Sequence, residues 1–398
     1  MNLLIFNCGS SSQGFKVYHH VAGEKDVVIA SGKGRNVATK TLADSIIDYS
    51  INGKADSKKI PLPSHRTTAG LILDLLMEAG VQIDAIGHRF VHGGTLFDRS
   101  IKIDGSVLND LRKCLSFAPI HNPNSFSVIE VCNDKLPGIP QYAVFDTAFH
   151  AGMPVESKLY ALPKELIDKF GFKKFGFHGL SYQDVSRKTS ILLRRPLESL
   201  KLIMCHLGTG GSSVAAMKGG KSLDTSMGYS PLPGLVMSTR CGDIDAEIVL
   251  EMIRQGKTPD EVSHILNNQS GLIGLSGISS NLAEVIDAAE KGNKDCRVTF
   301  DVYAHRLSSY LGSFFWQLDG ADAIVFTDDI GLKSWKLREK VCSGVENLGV
   351  LLDRDANRTA PADQPTCISQ SSSKVQLWVI PNDEEAMIRD EVLTLIHD

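Results

Sequence analysis

The chain has 398 residues, 42% hydrophobic and 22% charged, with 42 Lys and Arg against 46 Asp and Glu and a formal net charge of −4. That balance excludes a disordered chain, a collagen-like repeat and a coiled coil. It also provides no basic surplus for nucleic acid or an anionic membrane, so any anionic ligand must be held by local cations and backbone amides.

At about 100–200 residues per domain, the length predicts two or three domains. The apolar start, Met1–Phe6, meets Asn7-Cys8-Gly9 at once and is too short for a signal peptide. No run of about 18 apolar residues marks a membrane span. Eight scattered cysteines form no Cys-x-x-Cys pair, so neither a zinc site nor a disulfide framework is expected, and a reduced, cytoplasmic setting is.

Two segments echo each other. LLIFNCGSSSQGFKVYHH is an apolar run, a Gly/Ser loop and an alternating run ending at Tyr18. KLIMCHLGTGGSSVAAMKGGK repeats the design, with Leu202–Cys205, a loop over Gly208–Ser213 and a second run Val214–Met217. Each predicts a β-hairpin with a loop of small residues. Between and beyond them the pattern predicts a helix over Thr67–Ala79 closed by Gly80, and a strand from Ala85 into Gly93-Gly94. It predicts a second strand over Tyr142–Asp146 and helices over Asp245–Gln255, Asn281–Lys291 and Cys296–Leu318. A third apolar run, Ala323–Phe326, meets Thr327-Asp328-Asp329-Ile330-Gly331, with a helix expected from about Ser334. Ala360–Ser373 reads as a loop, Lys374–Ile380 as a strand and Asp383–His397 as the closing helix. Two like hairpins opening two halves predict a duplicated α/β architecture with a cleft between the halves.

The Gly/Ser loops are the first chemistry-bearing features. Asn7-Cys8-Gly9-Ser10-Ser11-Ser12 and His206-Leu207-Gly208-Thr209-Gly210-Gly211 expose backbone N–H groups and hydroxyls that suit phosphate oxygens. Neither ends in Gly-Lys-Ser/Thr, which excludes a P-loop NTPase. Arg89 and Arg240 stand in otherwise uncharged, Gly-flanked stretches. A guanidinium there either grips carboxylate or phosphate bidentately or completes an internal ion pair. His121 and His178 are embedded among Pro, Gly and aromatic residues. Asp146 closes a strand, and Glu384 and Glu385 open the last helix, as a favourable first turn or as carboxylates for Mg²⁺.

These motifs, in this order and across nearly the whole chain, resemble the acetate kinase family. The strings are NCGSSS, GHRFVHGG, APIHNP, AVFDTAFH, FGFHGLS, HLGTGGSS, DTSMGYSPLPGLVMSTRCGDID, SGLIGLSGISS and IPNDEE. The resemblance implies an α/β fold of two duplicated actin-like (ribonuclease H-like) domains, 1–147 with 382–398 and 148–381, with the active site in the cleft and usually a homodimer. It implies reversible phosphoryl transfer between acetate and acetyl phosphate with Mg²⁺ or Mn²⁺. By matching position, Asn7 and Glu384 lie at the metal, and Ser10, Ser12, His206, Gly208, Thr209, Gly210 and Gly211 at the phosphates. Arg89 and Arg240 grip the substrate carboxyl and the moving phosphoryl group, His178 donates to that group with His121 close by, and Asp146 is the residue the family assigns as catalytic. Val91, Ile120, Phe177 and Pro231 form the pocket for the methyl group. A carboxylate substrate is already ionised near pH 7, so Asp146 is read as an orienting or metal-organising residue.

The departures lie on the nucleotide side. ATP-using members carry Lys where Gly14 stands, and Asn where Thr209 stands. Their Ser-Ser-Asp-x-Arg element reads Ser279-Ser280-Asn281-Leu282-Ala283. Their Gly-Ile-Gly-Glu-Asn loop reads Asp329-Ile330-Gly331-Leu332-Lys333, which puts a Cβ and a charge where backbone approaches a nucleotide. This pattern resembles the pyrophosphate-type members, and pyrophosphate or orthophosphate is the expected partner in place of ATP or ADP. The alternatives are an ordinary ATP-dependent acetate or propionate kinase and a non-catalytic acetyl-phosphate binding protein.

Overall fold

The computed structural model describes residues 1–39 and 44–397. The chain divides into two compact units, Met1–Phe149 with Asp383–Asp398, and His150–Asn382. Asp398, part of the 382–398 segment expected in the first domain, lies outside the described residues.

The first unit is built on eight strands: β1 (Asn2–Cys8), β2 (Ser12–His19), β3 (Val27–Arg35), β4 (Ile46–Ile51), β5 (Lys54–Lys59), β6 (Ala85–Phe90), β7 (Ile101–Ile103) and β8 (Gln141–Phe145). Their order is β5-β4-β3-β2-β1-β6-β8-β7. Leu3, Leu4, Ile5 and Phe6 are all fully buried, because β1 is a central strand covered on both faces. One face packs on the helices His65–Glu78 and Asn122–Lys135 through Leu4, Phe6, Ile72, Leu76 and Val128. The last helix, Glu384–His397, covers the other face, against β1, β6 and β8. It comes so close that a Cβ on Gly87 would lie 2.8 Å from Ile5 and 2.9 Å from Val392. The helix expected over Thr67–Ala79 starts earlier, at His65, because the Ser64 side chain accepts from the Thr67 N–H and caps it there.

The second unit carries six strands: β9 (Lys201–Gly208), β10 (Gly211–Lys218), β11 (Lys221–Thr225), β12 (Ala323–Thr327), β13 (Thr366–Cys367) and β14 (Gln376–Val379), in the order β11-β10-β9-β12-β14-β13. The long helix Lys294–Gln317 buries Leu307, Leu311 and Phe314 with Val214, Ala216 and Ile324. The segment after β12, expected as a loop with a helix from about Ser334, is helical at once. Asp328–Lys333 forms one short helix and Trp335–Cys342 the next. The Ala360–Ser373 loop contributes β13, two residues paired to β14.

The run β3-β2-β1-β6-β8 of the first sheet recurs as β11-β10-β9-β12-β14 in the second. In each, two antiparallel pairings are followed by two parallel ones. The hairpin echo in the sequence is thus a duplication of a five-strand unit. All eight cysteines are free thiols, six of them buried. Among the described residues, no helix is long and apolar enough to cross a membrane.

Candidate active site

In the first unit the polar cluster stands at the C-terminal ends of the parallel strands, where open α/β sheets carry their ligands. Asn7 lies near the end of β1, Arg89 near the end of β6, and Asp146 directly after β8. The Arg89 Nε donates to both Asp146 oxygens at 3.2 Å, and Nη2 donates to Oδ2 at 2.6 Å. Nη1 donates to the Asn7 Oδ1 at 3.0 Å and lies 3.2 Å from Glu384 Oε2. Burial alone would lower the Arg89 pKa, but Asp146 and Glu384 outweigh it and raise the pKa, keeping the guanidinium charged. The internal ion pair considered for Arg89 is therefore present, and it leaves only part of the guanidinium for a ligand. Asp146, 1% exposed, is committed to holding Arg89.

The Asn7 amide donates to Glu384 and to Glu385, each at 3.1 Å. Lys16 reaches Asp383 at 2.8 Å and Glu385 at 3.6 Å. A Cβ at Gly14 would lie 3.1 Å from Glu385 Oε1, so this strand face is already filled by acids of the last helix. Two cations, Arg89 and Lys16, thus face four carboxylates, Asp146, Asp383, Glu384 and Glu385. Hard oxygen donors with a surplus of negative charge fit Mg²⁺. Among the described residues, no three ligating side chains converge as a cage. The fit is to an ion held by one or two carboxylates and completed by phosphate, and Asn7 and Glu384 are residues that could hold it.

Other first-unit residues are placed as follows. Ser10 is exposed in the β1–β2 loop and Ser12, the first residue of β2, is half-buried; the loop closes through Gly9 N–H to Ser12 O at 2.8 Å. His65, not singled out from the sequence, supports this loop through Nε2 and the Gly9 carbonyl, 3.0 Å apart. Val91 is buried and Ile120 is 51% exposed. His121 precedes the helix Asn122–Lys135. Buried Asn122 ties that helix start to the turn after β6 by donating to the carbonyls of His92 and Cys114 and accepting from the His92 N–H. Only the Pro-flanked motif hinted at its role.

The second unit gathers a different set. His178 adopts a left-handed backbone, φ 59°, at the entry to the helix Gly179–Leu193, a conformation a non-Gly residue holds only when its surroundings impose it. Buried His150 imposes it in part. Burial pushes the His150 pKa down to about 4, and the neutral ring sits 3.0 Å from the carbonyl of Phe177, itself 2% exposed. The His178 Nδ1 is 2.8 Å from Ser213 Oγ, which also bonds to the Tyr182 hydroxyl. The His178 and His206 rings stack at 4.0 Å.

The β9–β10 loop has two unlike ends. At Gly211, an added Cβ would lie 3.3 Å from His178 Nε2 and 3.4 Å from Arg240 Nη1, so both side chains converge on that backbone. Arg240 bonds only weakly, to the Pro231 carbonyl at 3.3 Å and the Met237 sulfur at 3.8 Å. No described carboxylate pairs with it, and burial lowers its pKa. At the other end, the Thr209 N–H and hydroxyl both donate to Asp329, at 2.9 and 3.0 Å. His206 Nε2 lies 3.1 Å from Asp328 Oδ2, and Nδ1 lies 2.8 Å from Ser181 Oγ. Gly210 has open space around it. Asn281 and Ala283 are a helix cap, Asn281 Oδ1 accepting from the Ala283 N–H at 2.9 Å. The Gly331 carbonyl accepts from Arg338 at 2.7 Å. Arg338, fully buried, went unremarked in the sequence, since it lies in no motif with a chemical signature, and Asp328 was read only as part of the run after the third apolar strand.

The chain can now be set beside known proteins. The family model described as the Acetokinase family matches residues 2–390. The acetate kinase of Dictyoglomus turgidum is 42% identical over 405 aligned residues, covering 100% of this chain and 98% of that one. The crystal structure of acetate kinase from Entamoeba histolytica superposes with a TM-score of 0.90 at 40% identity, covering 100% of both chains. That of a propionate kinase from Francisella tularensis gives 0.88 at 34% identity, covering 98% of both. The two duplicated sheets are those of the actin-like kinase fold, and the chain belongs to the acetokinase family of carboxyl-group phosphotransferases.

Proposed function

We propose that this acetokinase-family chain transfers a phosphoryl group between acetyl phosphate and inorganic phosphate: acetate plus pyrophosphate gives acetyl phosphate plus orthophosphate, and the reverse. The bridging P–O bond of pyrophosphate breaks as an acetate oxygen bonds to that phosphorus. The carboxylate needs no general base, so catalysis rests on alignment and charge stabilisation. Arg240 and His178 supply donors to the moving group beside Gly211. Asp146 orients Arg89, whose remaining N–H groups face the substrate carboxyl. A bound Mg²⁺ on Asn7 and Glu384 would neutralise charge on the phosphates. Val91, Ile120, Phe177 and Pro231 would serve the methyl group.

One observation carries the choice of donor: the carboxylate of Asp329 already takes the Thr209 N–H and hydroxyl. A phosphate-binding loop that spends these donors on its own acid has fewer left for the inner phosphates of a nucleotide. The full-length similarity to proteins named acetate kinase supports the ordinary ATP-dependent reading, which is the second one. Trapping acetyl phosphate as its hydroxamate, with acetate and either pyrophosphate or ATP, separates them. Turnover with pyrophosphate alone supports the proposal, and turnover with ATP alone overturns it. Turnover with neither, in both directions, leaves a binding protein. Acetate and propionate differ by one methylene, worth about 1–3 kcal/mol, so both acids belong in the assay. A homodimer is part of the proposal. The helix Ala246–Arg254 buries none of its residues and exposes Ile248, Leu250 and Ile253 around its circumference, apolar surface that a second copy could cover. Light scattering at the mass of two chains supports it, and the mass of one overturns it.

A further inference from the structure

We propose that Asp328 limits the length of the phosphate chain that the Gly208–Gly211 loop accepts. The inference rests on the reading of that loop as the donor's seat, and it assigns the selectivity to one residue of the segment that follows β12.

Three observations meet at Asp328. Its backbone is left-handed, φ 61°, a conformation unusual outside glycine, which turns the side chain back from the short helix Asp328–Lys333 onto the β9–β10 loop. Its Oδ2 stands 3.1 Å from His206 Nε2, while the other nitrogen of His206 is engaged by Ser181. It also packs flush on the loop backbone, since a Cβ on Gly208 would fall on the Asp328 carboxylate. His206 therefore has no nitrogen left for a phosphate while this pair stands. The surface above Gly208, which glycine leaves bare for an anion, already holds one.

The loop is thus polarised. Its Gly211 end faces two donors, His178 Nε2 and the carboxylate-free Arg240. Its Gly208–Thr209 end faces the two carboxylates Asp328 and Asp329. A short diphosphate can lie with its charge at the first end. A third phosphate in line approaches the second end, where like charges at contact distance oppose it. The carboxylate charge of Asp328, held in place by His206, sets that limit.

Inorganic tripolyphosphate is the probe, because it lengthens the chain without adding a base or a sugar. Calorimetry would compare pyrophosphate and tripolyphosphate binding to the wild-type protein, Asp328→Ala and Asp328→Asn, with hydroxamate turnover alongside. Asn keeps the shape and tolerates the left-handed backbone, so it stands in should the Ala variant fold poorly. The expected result is a gain of about tenfold or more in tripolyphosphate affinity for both variants, clearly larger than any change in pyrophosphate affinity. No gain in either variant overturns the proposal. A gain with Ala but not Asn overturns it too, because bulk rather than charge would then set the limit. Wild-type turnover with ATP and not pyrophosphate would sink the donor reading itself. Pyrophosphate turnover without the tripolyphosphate gain would sink only the role of Asp328.

Discussion

Arg89 and Arg240 looked alike in the sequence, each a lone cation among small residues, and their surroundings separate them. Arg89 is locked to Asp146, Asn7 and Glu384. Arg240 is largely buried with no carboxylate among the described residues to offset its charge, an arrangement that costs stability until an anion arrives. Arg240→Ala should therefore lower turnover by about 10³–10⁵, the range of phosphoryl-clamping arginines, while leaving stability unchanged or raised. Near-normal turnover would show the phosphoryl group lies elsewhere. Arg89→Met should instead unfold readily, because it removes the cation that the buried carboxylate of Asp146 and the carboxylate of Glu384 face. A loss of about 3–5 kcal/mol in urea denaturation is expected, and an unchanged midpoint would contradict the ion-pair account. Motif strings made Asn7, Arg89, Asp146 and Glu384 legible as candidates. They could not show which cation is paired, since Glu384 lies almost 300 residues from Arg89 along the chain.

The most instructive element is the short helix Asp328–Lys333. Six residues do not make a stable helix alone, and the run Thr327-Asp328-Asp329 reads as a loop. Arg338 from the following helix holds it. Its guanidinium donates to the carbonyls of Gly331 at 2.7 Å and Leu332 at 2.8 Å, and to the Asn357 side chain and carbonyl at 2.8 and 2.9 Å. These bonds satisfy two helix-end carbonyls and set a positive charge at the negative pole. Arg338→Met should destabilise the protein by about 3 kcal/mol or more through orphaned carbonyls. Lysine should restore only part of that, because it lacks the planar fork. Thermal unfolding of the three proteins checks this, and equal midpoints would contradict it. The two hairpins were legible because loop and strand chemistry repeat visibly. β5 was not, since all its residues are exposed and it carries no apolar alternation.

At the scale of the whole molecule, each unit buries a neutral histidine. Burial pushes His88 in the first unit and His150 in the second down to about 4. An unfolded histidine titrates near 6.5, so between these values the unfolded chain binds more protons than the folded one. Stability should be full above about pH 6.5 and fall as the pH drops toward 4, by up to about 1.4 kcal/mol per pH unit for each histidine. Urea midpoints measured from pH 7.5 down to 5 check the slope, and a flat profile would contradict it. The duplicated sheets were legible from the echo of the hairpins, but the acids that fold onto the β9–β10 loop, Asp328 and Asp329, come from a segment more than 100 residues away along the chain and were not legible as its partners. The central claim, that this acetokinase-family chain works with inorganic phosphate, is tested most directly in reverse. Acetyl phosphate and Mg²⁺ are mixed with orthophosphate or with ADP and followed by phosphorus NMR. Growth of pyrophosphate with orthophosphate, and no ATP with ADP, is the predicted result; ATP with ADP and no pyrophosphate would contradict it.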